Sequence, residues 1–282
     1  MNKRNILLTG IQRSGTTLVC HLLNKVQNTI ALHEPLPVVK MARKMAVVDF
    51  LAEVDGFFRQ SRQTLLSKGV AQSRGVQGRV PDNPFSESYS NETGLRRCMA
   101  GDTEDIVFHK DIRADMFLIV KHTAAFTALI GSLVKSFSVY AIIRNPLSVL
   151  LSWQTCDMQV NRGRMPAAEM LSEKFRDMIL SEGDRLTRQI KIIHWFFQSY
   201  QEYLPQDQIL RYEQIIASKG SCLSVIVPDA QRLNEPLLSK NTNPLYPAGL
   251  YRELGDALLA SEGAAWRFYD KAEVEAMIKM AV

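Results

Sequence analysis

The sequence predicts an α/β fold, a mostly parallel central sheet flanked by helices and carrying helical insertions. Three observations lead there. Ile6-Leu7-Leu8-Thr9 is a short apolar run of the kind a buried strand makes, and it passes through a glycine-bounded turn, Gly10 to Gly15, into Val19, Leu22, Leu23 and Val26 at helical spacing. A second such run, Ser138-Val139-Tyr140-Ala141-Ile142-Ile143, is followed by Arg144-Asn145-Pro146 and an apolar stretch that a proline at the first helical position would open. Further short apolar runs alternate with amphipathic stripes, the order expected of parallel strands joined by crossover helices.

Along the chain, Met41, Met45, Val48, Leu51, Val54 and Phe58 form one amphipathic helical stripe. Lys68 to Pro84 carries glycines, Gln72, Gln77, Arg74 and Arg79 with little apolar periodicity, and reads as a long loop or mobile lid. Ile106-Val107-Phe108-His109 and Met116-Phe117-Leu118-Ile119-Val120 read as strands of the same sheet, with Asp111 and Asp115 in a polar link between them. Leu186, Ile190, Ile193, Phe197, Tyr200 and Leu204 make a stronger helical stripe closed by Pro205, and Ile209-Leu210-Arg211 is a final strand. Stripes of this kind are core far more often than ligand boxes. There is no internal repeat and no low-complexity tract.

Composition fits this picture. A chain of 282 residues, 46% of them hydrophobic, can bury a full core, and the net charge of +5 favours anionic ligands without choosing among a nucleotide, nucleic acid and an anionic membrane. Cys20, Cys98, Cys156 and Cys222 show no metal-site spacing and read as reduced thiols, which suggests a cytoplasmic protein. After Met1-Asn2-Lys3-Arg4 the apolar run stops at Gln12-Arg13, too soon for a signal peptide, and no apolar stretch approaches the roughly 18 residues that cross a bilayer.

The turn Gly10-Ile11-Gln12-Arg13-Ser14-Gly15-Thr16-Thr17 has the frame of a phosphate-cradling P-loop, with threonine where the pattern G-x-x-x-x-G-K-[ST] has lysine. That lysine answers the β- and γ-phosphates of a nucleoside triphosphate. Its replacement points to a ligand with fewer charges on its 5′ chain, such as a phosphosulfate. The glycines let the backbone approach an anion, the helix start holds it, and Arg13, Ser14, Thr16 and Thr17 add donors. An ordinary strand-to-helix turn would use the same hydroxyls as caps. In the second segment Ser152 follows Arg144 by eight positions, so both can face one crevice at the carboxyl ends of the strands.

These residues resemble the sulfotransferases that use 3′-phosphoadenosine 5′-phosphosulfate (PAPS), closest in motif to the tyrosylprotein and carbohydrate enzymes. In that family a loop of the form [K/R]-S-G-T-T, here Arg13-Ser14-Gly15-Thr16-Thr17, holds the 5′-phosphosulfate, and an R-x(7)-S element, here Arg144 and Ser152, grips the 3′-phosphate. Further likenesses are His33-Glu34-Pro35 where a catalytic carboxylate is expected, Lys121 as the active-site lysine, Arg211-Tyr212-Glu213-Gln214 as a nucleotide contact, and Leu238-Ser239-Lys240 as a late nucleotide-binding turn. Matches run in family order from the first strand to near residue 252. The chain departs from the pattern at Cys156, where tyrosylprotein enzymes can offer arginine, at Lys121-His122-Thr123, which is not K-x-P, and in lacking the R-K-G-x-x-G-D-W-K segment.

The resemblance implies a single domain over residues 1–282, with helical insertions at about 38–75 and 157–205. It implies metal-free, in-line transfer from PAPS, leaving PAP, to a hydroxyl acceptor, with a glycan or small metabolite favoured and no nucleic-acid partner. Glu34 would remove the acceptor's proton, with His33 as the alternative base and His122 a weaker one, while Arg13 and Lys121 would stabilise developing charge. Tyr212 would meet the adenine, and Ser239 and Lys240 would add nucleotide contacts. Two other readings stay open, a P-loop small-molecule kinase and a non-catalytic nucleotide- or nucleic-acid-binding module. The missing lysine opposes the kinase, and the absence of interleaved basic and aromatic residues opposes the binding module.

Overall fold

A computed structural model describes residues 2–280. The strands are β1 Asn5–Gly10, β2 Thr29–His33, β3 Val70–Arg74, β4 Phe85–Tyr89, β5 Arg96–Cys98, β6 Thr103–Val107, β7 Phe117–Lys121, β8 Ser138–Ile143 and β9 Ile209–Arg211. Five of them form one sheet in the order β2-β7-β1-β8-β9, every pairing parallel. The fold is therefore mixed α/β with a central parallel sheet flanked by helices.

Both faces of this sheet are covered, so successive residues of each strand enter opposite cores. Leu7, Leu118, Val120, Val139, Ala141 and Ile143 pack on one side, while Ile6, Leu8, Ile119, Ile142 and Leu210 pack on the other. That explains why the strands read as continuous apolar runs without polar alternation. The second face is closed by α1 Thr16–Leu23 and α10 Tyr212–Ala217, and the first by α3 Val47–Lys68, α4 Ala124–Ala128, α6 Pro146–Thr155 and α9 Arg185–Tyr203. The remaining helices are α2 Val38–Lys44, α5 Ile130–Leu133, α7 Pro166–Leu171, α8 Glu173–Leu180, α11 Ala248–Leu259 and α12 Lys271–Met280. None is long and apolar enough to cross a membrane among the described residues.

Several elements differ from the sequence reading. The stripe from Met41 to Phe58 is two helices, because Met45 and Ala46 are extended and break the chain between α2 and α3. Lys68 to Pro84 is not a continuous loop, since Lys68 ends α3 and Val70–Arg74 is β3. The run at Ile106 is not in the parallel sheet; it belongs to β6, which pairs antiparallel with β3 in register Ala71↔Ile106. Only Ile106 of that strand is buried, and a strand with one apolar anchor cannot enter a sheet covered on both faces. The β4–β5 hairpin was not anticipated at all, because Phe85-Ser86-Glu87-Ser88-Tyr89 and Arg96-Arg97-Cys98 hold no apolar run.

Parallel pairing brings the C-terminal ends of the strands to one edge. His33 lies beside Lys121, Leu8 beside Lys121 on the other side, Gly10 beside Ile142, and Ile143 beside Arg211. The glycine loop after β1, Glu34 after β2, Lys121 at the end of β7, Arg144 after β8 and Tyr212 after β9 all lie at or just beyond this edge, where open α/β sheets bind ligands.

Candidate functional site

The glycine loop is fixed from below. A Cβ on Gly10 would come within 2.5 Å of the Ile142 carbonyl, and one on Gly15, whose φ is +94°, within 2.8 Å of Cδ2 of Tyr212. Ser14 spends both its donors on the scaffold, its Oγ on the Ile142 carbonyl at 2.8 Å and its N–H on the Ile11 carbonyl at 3.0 Å. Trp153 Nε1 donates to the Gln12 carbonyl at 2.9 Å. Above these anchors, the N–H groups of Gly15, Thr16 and Thr17 have no protein acceptor among the described residues, nor have the Thr16 and Thr17 hydroxyls a partner. They open into a cavity of about 800 Å³.

Arg13 has φ +73°, a left-handed conformation that costs a non-glycine residue on the order of 1–3 kcal/mol. Its guanidinium is held by three contacts. Nε donates to Ser152 Oγ at 3.1 Å, Nη2 donates to Asn83 Oδ1 at 3.1 Å, and the plane lies 4.6 Å from the centroid of the Phe85 ring. Burial lowers the pKa of Arg13, and neighbouring Arg96 and Arg144 push the same way. Ser152 is fully buried and does not line the cavity; it lies behind Arg13.

At the other end of the cavity, Glu34 follows β2 with φ +47°. Its N–H bonds to the Lys121 carbonyl at 2.9 Å, which turns the carboxylate onto the Lys121 side chain: Nζ donates to Oε1 at 2.7 Å, and Arg74 approaches Oε2 at 3.5 Å. Burial opposes the charge on Glu34 most strongly, but the Lys121 ammonium, its hydrogen bond and the neighbouring His33 and His122 together outweigh it and hold the carboxyl well below the usual range. Lys121 Nζ also lies 3.4 Å from His33 Nδ1. Burial first, and then Lys121, brings His33 down to about 3, so it is neutral near pH 7 with Nδ1 facing the ammonium as acceptor. His122 is also drawn down to about 3, chiefly by burial, and its Nε2 accepts the Leu36 N–H at 3.1 Å.

The third group surrounds Arg144, which is 4% exposed. Nη1 donates to the Arg13 carbonyl at 2.9 Å, Nε to Asn241 Oδ1 at 2.8 Å and Nη2 to the Lys240 carbonyl, while the guanidinium covers the Tyr212 ring at 4.6 Å. Tyr212 is thus wedged between Gly15 and Arg144, and its hydroxyl accepts the Lys240 N–H at 3.0 Å. Glu213 ties the region together through the Asn145 N–H at 3.0 Å, Asn241 Nδ2 at 2.8 Å and the Tyr269 hydroxyl at 2.8 Å.

Ten of the residues read from sequence meet in the one cavity: Arg13, Gly15, Thr16, Thr17, His33, Glu34, Lys121, Arg144, Tyr212 and Lys240. Ser14, Ser152 and Ser239 do not line it, and the exposed Ser239 accepts the Asn241 N–H at 3.3 Å. The reading missed Arg74 on β3 as the second partner of Glu34, Asn83 and Phe85 as supports of Arg13, Asn241 as the acceptor for Arg144, and Arg96 on β5. Only Arg74 left a trace, as a basic residue in the supposed lid.

No protein-family model matches the chain, and no curated protein matches its sequence. Among solved structures it is similar to the sulfotransferase STF1 from Mycobacterium tuberculosis H37Rv, with 14% identity and a TM-score of 0.36 over 99% of this chain and 77% of that one. It is also similar to retinol dehydratase in a complex with retinol and PAP, with 14% identity and a TM-score of 0.32 over 100% of this chain and 80% of the other. At such distances, function has to be read from the chain's own residues.

Proposed function

We propose that the chain is a sulfotransferase, moving a sulfuryl group from PAPS to a hydroxyl acceptor by in-line transfer without a metal, with a glycan or small metabolite as the favoured acceptor. The observation that carries this reading is the meeting, in one cavity, of a lysine-free glycine loop with the Lys121–Glu34 pair. The residues fit the nucleotide. Open N–H groups and free threonine hydroxyls suit a 5′-phosphosulfate, and the lining holds seven basic side chains, Arg13, Arg74, Arg96, Lys121, Arg144, Arg162 and Lys240, against four acids, Glu34, Asp82, Glu87 and Asp157.

PAPS would supply a sulfuryl group already activated on a phosphate leaving group. Arg13, Thr16, Thr17 and the start of α1 would bind its 5′ end, and Arg144 and Lys240 the nucleotide's other end, with Ser152 acting through Arg13. Glu34 is ionised at neutral pH, so Oε1 or Oε2 can receive the acceptor's hydroxyl proton. Its basicity is low while Lys121 holds it; an anion that competes for the ammonium loosens that hold and makes the carboxylate a better base. Neutral His33 keeps Lys121 oriented through Nδ1.

Calorimetric titration with adenosine 3′,5′-bisphosphate, against ATP with magnesium as control, tests the proposal. Metal-independent binding of the bisphosphate with weak binding of ATP is the expected result. The reverse order would replace the sulfotransferase by a kinase.

A further inference from the structure

Arg96 is the most deeply buried charged side chain of the cavity wall, 2% exposed, and nothing in the motifs accounts for it. Its Nε donates to the Ser86 carbonyl at 2.6 Å across the hairpin, while neither Nη has a protein acceptor among the described residues. No carboxylate pairs with it. Arginines elsewhere in the chain are paired, Arg164 with Glu169 and Arg211 with Glu273, and Asp157, which also lines the cavity, turns toward Arg162 at 3.9 Å. Arg13 shares this condition: it has no carboxylate partner, and its Nη1 is unspent.

The two are built into one wall. Phe85, on which Arg13 lies, pairs with Cys98 in the same hairpin that carries Arg96. The hairpin is fastened to the end of α6, where the Asp157 N–H donates to the Arg96 carbonyl at 3.0 Å and Arg96 bridges to Cys156. Tyr246, 6% exposed, lines the cavity beside them, and its phenol has no partner among the described residues. Holding one buried and one half-buried charge of the same sign with open donors and no counter-ion is costly, and the cost falls when an anion enters. A planar fork with two free nitrogens suits a tetrahedral oxyanion, which it can grip in bidentate fashion.

We propose that Arg96 and Arg13 form a receptor for a dianionic phosphate monoester, with Arg96 as the arm that selects it. The group arrives either as the nucleotide's 3′-phosphate, in which case Arg96 takes it in place of Arg144, or on the acceptor. The inference rests on the proposed function only for the identity of that nucleotide.

The test compares wild type with Arg96→Met, and with Arg96→Lys, which keeps the charge and loses the fork. Melting temperatures are measured at pH 8 with and without inorganic phosphate, and affinities for adenosine 3′,5′-bisphosphate and adenosine 5′-monophosphate by calorimetry. Phosphate is expected to raise the melting temperature of wild type but not of Arg96→Met, which without phosphate melts no lower than wild type because an unpaired buried charge is gone. A preference for bisphosphate over monophosphate that falls roughly tenfold or more in Arg96→Met assigns the monoester to the nucleotide. Phosphate protection that depends on Arg96, with bisphosphate affinity unchanged, assigns it to the acceptor. Equal phosphate protection and equal bisphosphate affinity in wild type and variants would overturn the receptor and leave Arg96 a hairpin strut. If wild type ignores the bisphosphate, the sulfotransferase reading fails while the phosphate arm still decides the role of Arg96.

Discussion

Arg13 and Glu34 are the two cavity residues with non-glycine left-handed backbone, and each is over-determined by contacts that a relaxed conformation would lose. Glu34→Gln is expected to keep bisphosphate affinity while turnover drops about 10²–10⁴-fold, read as kcat against the calorimetric Kd. If turnover survived and His33→Ala abolished it, the base would be His33. The same cluster sets an acid response. His33 and His122 have folded values of about 3 against 6.5 unfolded, so the unfolded chain takes their protons first and stability is lost as pH falls below about 6.5. Glu34, whose folded value is depressed, gives its contribution fully above about 4.5 and loses it at lower pH. The melting temperature should therefore decline from about pH 7 to pH 4, and replacing both histidines by asparagine should flatten the upper part of that decline. Residue types in the loop and at Arg144 could be read from sequence because one short stretch holds the chemistry. Arg74 and Arg96 could not, since each reaches the cavity only through strand pairings to remote residues.

The elements that hold the site are short and capped by specific groups. Asn145 accepts from the N–H groups of Leu147 and Ser148 and opens α6 together with Pro146, so Asn145→Ala should cost about 1 kcal/mol in denaturant unfolding and loosen Arg144 just before it. Gly15→Ala puts a Cβ into the Tyr212 ring at a left-handed φ; an expected loss of about 1–2 kcal/mol in stability, with at least tenfold weaker bisphosphate binding, checks that the ring is a wedge under the loop. Four strands of the parallel sheet, β1, β7, β8 and β9, were legible because buried faces leave short apolar runs, while Thr29-Ile30-Ala31-Leu32-His33 of β2 carries polar residues at both ends and was not singled out. The β3–β6 pair and the β4–β5 hairpin lie half in solvent, where polar residues conceal the period. α2 and α3 were merged because their apolar faces stay nearly in phase across Met45 and Ala46, and only the backbone break separates them.

At the scale of the molecule, charge and topology act together. The excess of basic residues shown by the sequence is concentrated at the strand edge, where seven cations face four acids around one opening. Bisphosphate binding should weaken severalfold between about 0.1 and 1 M salt, as the screening length falls from about 10 to 3 Å, and titrations at both ionic strengths would show it. A lining of uniformly desolvated contacts would leave the affinity flat.

The bond from Trp153 to the Gln12 carbonyl gives this fold a built-in optical gauge. The indole is fully buried, and its one polar atom is tied to the backbone of the glycine turn, next in sequence to the serine that touches Arg13. Its emission should follow any displacement of that turn, whatever chemical group causes it. With Trp195 and Trp266 changed to phenylalanine, a single fluorophore would remain to time ligand arrival in a stopped-flow instrument.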